Sequence, residues 1–230
     1  MTTASYNQFC PVAMASEILC TRWTIILLRE FTAGTCRFND LRRGVPRMSP
    51  ALLSKRLKDL EAAGIVSRSK TAKGPDVYEL TEAGKALAPI VWAIGDWGHK
   101  WVSAKAALEN LDVNLLMWDM RRNIDPKPLP KRRCVIQVIY SGLPAAKKNW
   151  WLIVEPGKPT DLCSVDPGFD VDVYLSTDLR TMTEVWMGYT GIARARKDGR
   201  LNITGDRQIA GNVQVWLGRS PFAATEKRAA

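Results

Sequence analysis

The sequence predicts an α+β fold in two parts: a mainly helical part closed by a small hairpin, residues 1–108, and a part of mixed strands and helices, residues 109–230. Three observations predict it. Apolar residues recur at helical spacing in the first part, as in Leu53, Leu57 and Leu60 at i, i+4, i+7. The stretch Arg37–Lys73 carries the punctuation of helix, turn, helix and hairpin. After the prolines at 126, 128 and 130, strand-like runs take over, at Cys134–Tyr140, Trp150–Val154 and Val171–Leu175.

Pro11 starts a helix over Val12–Cys20, because a proline in the first turn lacks only an N–H that has no partner there. Thr21 caps a second helix, Arg22–Phe31, with Trp23, Ile26 and Leu27 on its buried side and Gly34 ending it. Phe38 and Leu41 share a short helix that stops at Gly44. Ser49 and Pro50 open the next helix as cap and first residue. Ile65–Ser67 and Val77–Leu80 form the hairpin around a Gly74-Pro75 turn. Thr81-Glu82 opens a long helix with Leu87, Ile90, Val91, Ile94, Trp97 and Trp101 on one side, which Pro89 kinks or marks as a first turn.

In the second part, Leu111–Arg122 reads as a helix, and Asp178 caps another over Leu179–Gly188. Gly191–Ala195 is a short helix, Leu201–Gly205 a strand with its turn, and Val213–Leu217 a closing helix or strand. Residues 225–230 read as a frayed tail.

Composition narrows the function classes. No apolar run reaches the roughly 18–20 residues needed to span a bilayer, so no membrane is expected, and no secretory signal is read at the start. The cysteines Cys10, Cys20, Cys36, Cys134 and Cys163 are scattered and there is one histidine, His99. That argues against a disulfide framework or a metal site and fits a reducing cytoplasm. No GxSxG, phosphate-binding glycine loop or HExxH occurs, and no cofactor or catalytic residue is expected. The carboxylates Asp166, Asp170 and Asp172 read as solvated or turn-capping groups.

Charge points instead to a polyanion. The chain carries +10, and Arg37–Lys73 alone holds ten Lys or Arg against three Asp or Glu. Focused positive charge raises local potential and speeds encounter with DNA. On the helix after Ser49 the leucines face inward, leaving Ala51, Ser54, Lys55 and Lys58 to approach a groove. Arg37, Arg42, Arg43, Arg47 and Ser49 surround its start, and Arg68, Lys70 and Lys73 occupy the hairpin. These residues are the expected contacts to double-stranded DNA.

Residues 9–101 resemble the HxlR family of winged-helix regulators, relatives of the MarR group. The resemblance is carried by Cys10-Pro11-Val12, Arg22–Leu28, Arg37–Leu41, Met48-Ser49, Leu53–Glu61, Gly64–Val66, Tyr78–Thr81, Gly84 and Trp97-Gly98, in that order and spacing. It implies a winged helix-turn-helix domain in a homodimer, with Ser49–Ala63 as recognition helix, Ile65–Leu80 as wing and the flanking helices pairing two subunits. In some members a cysteine near Cys10 serves as a redox or electrophile sensor, which makes Cys10 a candidate redox residue.

The second part resembles, more loosely, sterol-carrier-protein-2-like (SCP2-like) domains. The residues are Val171–Leu179, Trp186-Met187-Gly188 and Leu201–Asp206. The resemblance implies a sheet and helices around an apolar cavity. Trp150, Trp151, Met182, Val185, Trp186 and Met187 are then candidates to line it and receive an apolar small-molecule effector. The functional expectation is a dimeric, sequence-specific DNA-binding regulator under such control. A lipid-like ligand carrier or scaffold protein is the alternative, and it leaves the basic helix and hairpin without a role.

Overall fold

A computed structural model describes residues 5–70 and 74–228, and the chain divides into two compact units, Met1–Gly95 and Asp96–Ala230. The division falls within a helix, ahead of the boundary expected at residue 108.

The first unit runs α1 (Pro11–Leu19), α2 (Thr24–Thr32), α3 (Phe38–Gly44), α4 (Pro50–Ala62), β1 (Val66–Ser69), β2 (Val77–Leu80), α5 (Glu82–Ala86) and the start of α6 (Ala88–Trp101). Its core gathers Leu27 and Leu28 from α2, Leu41 from α3, Leu53, Leu57 and Leu60 from α4, and Val66 and Tyr78 from the hairpin. The leucine spacing on α4 thus does what its periodicity predicts.

Three local expectations are corrected. Thr21 is not a cap. Its carbonyl accepts the Thr24 N–H in a turn, and α2 begins after Trp23, which sits left-handed at φ 79°. Ile26, expected inside, is exposed on α2. The expected single helix after Thr81 is two. It breaks at Leu87, and Pro89 falls in the first turn of α6, where its missing N–H costs nothing.

The second unit takes in the end of α6, then α7 (Ala104–Leu108) and α8 (Val113–Asn123), capped by Asp112, and continues with β3 (Cys134–Ser141), α9 (Ala145–Lys148), β4 (Asn149–Val154) and β5 (Asp161–Cys163). Then come β6 (Val173–Asp178), α10 (Leu179–Trp186), α11 (Ile192–Lys197), β7 (Leu201–Gly205), α12 (Arg207–Gly211) and α13 (Val213–Trp216). The five strands form one mixed sheet in the order β5-β4-β3-β6-β7. β3 and β6 run parallel at its centre, pairing Val138 with Leu175, and the other neighbours are antiparallel. One sheet face, through Ile136, Val138, Leu152 and Leu175, shares a core with Met117 and Met120 of α8, Met182 and Trp186 of α10, and Trp216 of α13.

The tail expected to fray is anchored through residue 228. Thr225 Oγ1 donates to Asp96 at 2.6 Å, and the Arg228 N–H donates to the Lys100 carbonyl at 2.9 Å. Lys227 Nζ donates to the carbonyls of His99 at 2.8 Å and Val102 at 2.6 Å, so its charge meets the negative end of α6. Its polarity made the tail look solvated, but its lysine and threonine serve the open end of a helix.

Candidate nucleic-acid interface

Helix α4 is capped at its start and tied at its middle to the chain before α2. Ser49 accepts the Leu52 N–H at 3.3 Å, and Pro50 takes the first helical position. Farther along, Arg56 donates from Nε to the Arg22 carbonyl at 3.1 Å and from Nη1 to Asp59 at 2.7 Å. With the leucines inside, Ala51, Lys55 and Lys58 are exposed and Ser54 half-buried on the remaining surface. The geometry brings these four onto one helix and leaves both ammonium groups in solvent, where phosphate can displace water.

The helix before it is fixed by a buried polar strut that the sequence did not announce. Glu30 is fully buried on α2. Arg29 Nη2 reaches Glu30 Oε1 at 2.6 Å and the Gly44 carbonyl at 2.9 Å, and Thr35 Oγ1 donates to Glu30 Oε2 at 3.4 Å. The strut ties α2 to the end of α3, which sets the turn leading to α4. Its sequence signal was an acidic residue in an otherwise apolar helix beside an arginine.

Arg37, Arg42, Arg43 and Arg47 are all exposed around α3 and the turn. Arg37 precedes α3 and bridges Val77, while the Cys36 carbonyl accepts the Tyr78 N–H at 2.8 Å. The strand end thereby joins the edge of the hairpin, so Arg37 and the wing share one frame. Arg43 lies 3.6 Å from Asp40.

The wing is less free than its sequence suggests. β1 and β2 pair antiparallel, with Arg68 opposite Tyr78. Arg68 Nε donates to Asp76 Oδ2 at 2.8 Å, Nη2 bonds the same oxygen, and the guanidinium lies 5.9 Å from the Tyr78 ring centroid. The Asp76 bond holds the Arg68 pKa above its usual value. Arg68 is therefore engaged in an ion pair within the hairpin, whereas Lys70 is exposed just beyond the end of β1. Lys73 lies outside the described residues. The wing's base is pinned by Thr81 Oγ1, which donates to the Gly64 carbonyl at 2.7 Å.

Cys10 stands at the N-cap of α1, half-buried, and the Ala13 and Val12 backbone N–H groups lower its thiol pKa below the ordinary value. That is the electrostatic setting a reactive thiolate requires.

Of the six candidate ligand residues, Trp150, Met182, Val185 and Trp186 are packed together in the second unit's core, and Met187 packs against it half-buried. Trp151 is buried but lies outside that cluster. A cleft of about 530 Å³ in this unit is lined by Arg121, Arg133, Glu155 and Phe169 among others, and by none of the six. No group of His, Cys, Asp or Glu suited to a metal ion occurs among the described residues, and none of their helices is by itself long and apolar enough to cross a membrane.

Comparison with known proteins gives this surface a context. The HxlR-like helix-turn-helix family matches residues 18–106. An HTH-type transcriptional regulator of Bacillus subtilis, YvaP, is 36% identical over 99 residues, which cover 42% of this chain and 92% of the relative. A second from the same organism, YybR, is 35% identical over 118 residues, 50% of this chain and 92% of the relative. Among solved structures, the redox regulator HypR in its reduced form is 34% identical, with a TM-score of 0.38, over 44% of this chain and 98% of that one. These relatives are regulators of transcription, not enzymes.

Proposed function

Because the chain belongs to the HxlR-like helix-turn-helix family of DNA-binding transcriptional regulators, we propose that it reads a specific operator in the cytoplasm as a homodimer. The observation that carries the reading is α4, whose leucines are buried while Ala51, Lys55 and Lys58 are exposed. Two such helices on a two-fold axis would enter successive major grooves of a near-palindromic site. Arg37, Arg42, Arg43 and Arg47 would hold phosphates around the turn, and Ser49, Ala51 and Ser54 would lie nearest the base edges at the helix start. Dimerisation is supported by exposed apolar side chains, Phe9, Val12 and Met14 on and before α1, and Ile90, Ile94, Trp97 and Trp101 on α6. Fluorescence anisotropy against genomic fragments upstream of the protein's own gene tests the reading. A fragment bound at least a hundredfold more tightly than random duplex supports it, and uniform binding to all fragments refutes sequence specificity.

Control by a small molecule is the finer part of the proposal. An SCP2-like second unit is supported by its mixed five-stranded sheet with helices packed on one face. An apolar effector would have to enter among Trp150, Met182, Val185 and Trp186, all buried members of the second unit's core. It would alter operator affinity only by favouring one arrangement of the dimer over another. Titration with fatty acids and sterols, followed by thermal melting and operator affinity together, tests this. Cys10 offers a second input, and a thiolate-dependent alkylation rate at neutral pH would support it.

A further inference from the structure

The second unit segregates its charge along the strand direction. The register places Ile139 beside Asn149, Ser141 beside Asp178 and Thr177 beside Leu201. The ends of β3 and β6 therefore share one edge of the layer with the starts of β4 and β7. α9 leads into β4 at that edge, and α11 leads into β7 there. Arg194 bonds Asp198 at 2.9 Å, while Arg200 at 2.6 Å and Arg180 at 3.3 Å share Glu184. Asp178 is occupied in capping α10. Lys147, Lys148, Arg196 and Lys197 remain, exposed and paired with no carboxylate among the described residues.

The opposite end of the same sheet is balanced. There Arg132 meets Asp172 at 2.8 Å, Arg133 and Lys158 each meet Glu155 at 2.6 Å, and Asp161 and Asp206 add further negative charge. A favourable placement at the C-terminal end of a short helix accounts for Arg196 and Lys197 singly. The same placement suits Lys147 and Lys148 in the last turn of α9, but it does not account for all four cations gathering at one edge of the sheet. β4 and β7 are three strand spacings apart, about 14 Å. One strand of B-DNA presents a phosphate about every 3.4 Å of axis, so this distance spans about four phosphates.

We propose that this basic end of the second unit is a second phosphate-contacting surface, which holds duplex DNA without reading its sequence. It adds to the helix-turn-helix a grip that depends on charge alone. The probe is a 40-base-pair random-sequence duplex, titrated with the full chain over a range of KCl concentrations. Lys147→Glu, Lys148→Glu, Arg196→Glu and Lys197→Glu together should lower low-salt affinity at least tenfold. They should also reduce the slope of log K against log[KCl] by about 2–4, at about 0.9 for each phosphate no longer neutralised. The four glutamine replacements should give an intermediate loss, which keeps the test valid if the reversals unfold the unit. Reversing Lys131 and Arg207, exposed just before β3 and just after β7 at the balanced end, should change the slope less. An unchanged slope in the glutamine variant, with Lys55→Ala and Lys58→Ala still weakening binding, overturns the second surface and leaves the recognition helix standing. Loss of binding to phosphatidylserine vesicles with none to the duplex also overturns it.

Discussion

A side-chain carbon placed on Gly44 would lie 1.9 Å from Oε2 of Glu30. The helix-turn-helix turns its corner against a buried carboxylate, and only glycine leaves that carboxylate room. Gly44→Ala must push Glu30 away from Thr35 or shift α3, and overpacking of this kind costs about 1–3 kcal/mol. We expect a lower urea midpoint with an unchanged m-value. Wild-type stability in this variant would mean that Glu30 rotates away freely and that the strut is not rigid.

On α4 the expected effect is the reverse, a loss of binding without loss of fold. Lys55→Ala with Lys58→Ala removes two exposed cations. The salt slope for operator binding should fall by about 1.8, at about 0.9 per phosphate. The melting temperature should hardly move, because surface changes away from special features usually stay within about 0.5 kcal/mol. Unaltered binding would remove α4 from the interface.

In the wing, deleting a carboxylate should help. Asp76→Asn leaves Arg68 without its charged partner and removes one negative charge from the wing. Affinity for random duplex should rise several-fold at low salt and converge with wild type at high salt, since the gain is electrostatic. Weaker binding would show that the Arg68–Asp76 pair shapes the wing more than it restrains Arg68.

For the dimer, Ile94→Glu or Trp97→Glu places a charge in the exposed apolar stripe of α6. Sedimentation velocity at micromolar concentration should show monomer for either variant and dimer for wild type. Both variants remaining dimeric would move the interface elsewhere.

Acid should weaken the second unit. His99 is buried, its Nδ1 has no hydrogen-bond partner among the described residues, and its ring stacks on Tyr189 with centroids 5.7 Å apart. Burial first, and the Lys227 charge second, lower its pKa, against a smaller opposing pull from Asp96. A folded value below the unfolded one near 6.5 means that the stability is present above about pH 6.5. It is lost as pH falls through the lower folded value, because the unfolded chain takes the proton first. His99→Gln should flatten that part of the stability–pH curve, and an unchanged curve would assign the acid sensitivity to other groups.

The helices of the first unit were legible because each signal is local. Leu53, Leu57 and Leu60 announce a buried face, and Ser49-Pro50 a helix start. The hairpin was legible from Gly74-Pro75 and its β-branched flanks, although its first strand begins at Val66, one residue later than expected. Long-range choices were not legible. Nothing near Glu30 in sequence indicates that Gly44 closes over it, and nothing in Asp76 identifies Arg68 as its partner. The short strand β5 and helix α12 have too few residues for periodicity to register. The contact residues on α4 could be named because burial of one helix face dictates exposure of the other. In the proposed dimer their reach to bases would depend on the spacing of the two heads, which no local pattern encodes.

The parallel pairing of β3 with β6 has a consequence for synthesis. Ile136 must find Val173, and the antiparallel hairpin of β3 with β4 cannot complete the centre of the sheet by itself. At about 5–20 residues per second, the ribosome adds β6 some seconds after β3. The second unit's core therefore stays open on the nascent chain while the basic first unit, contiguous through Gly95, is already outside the tunnel with all its own strands present. The order of translation delivers the part that meets DNA ahead of the part whose central strand must wait for its neighbour.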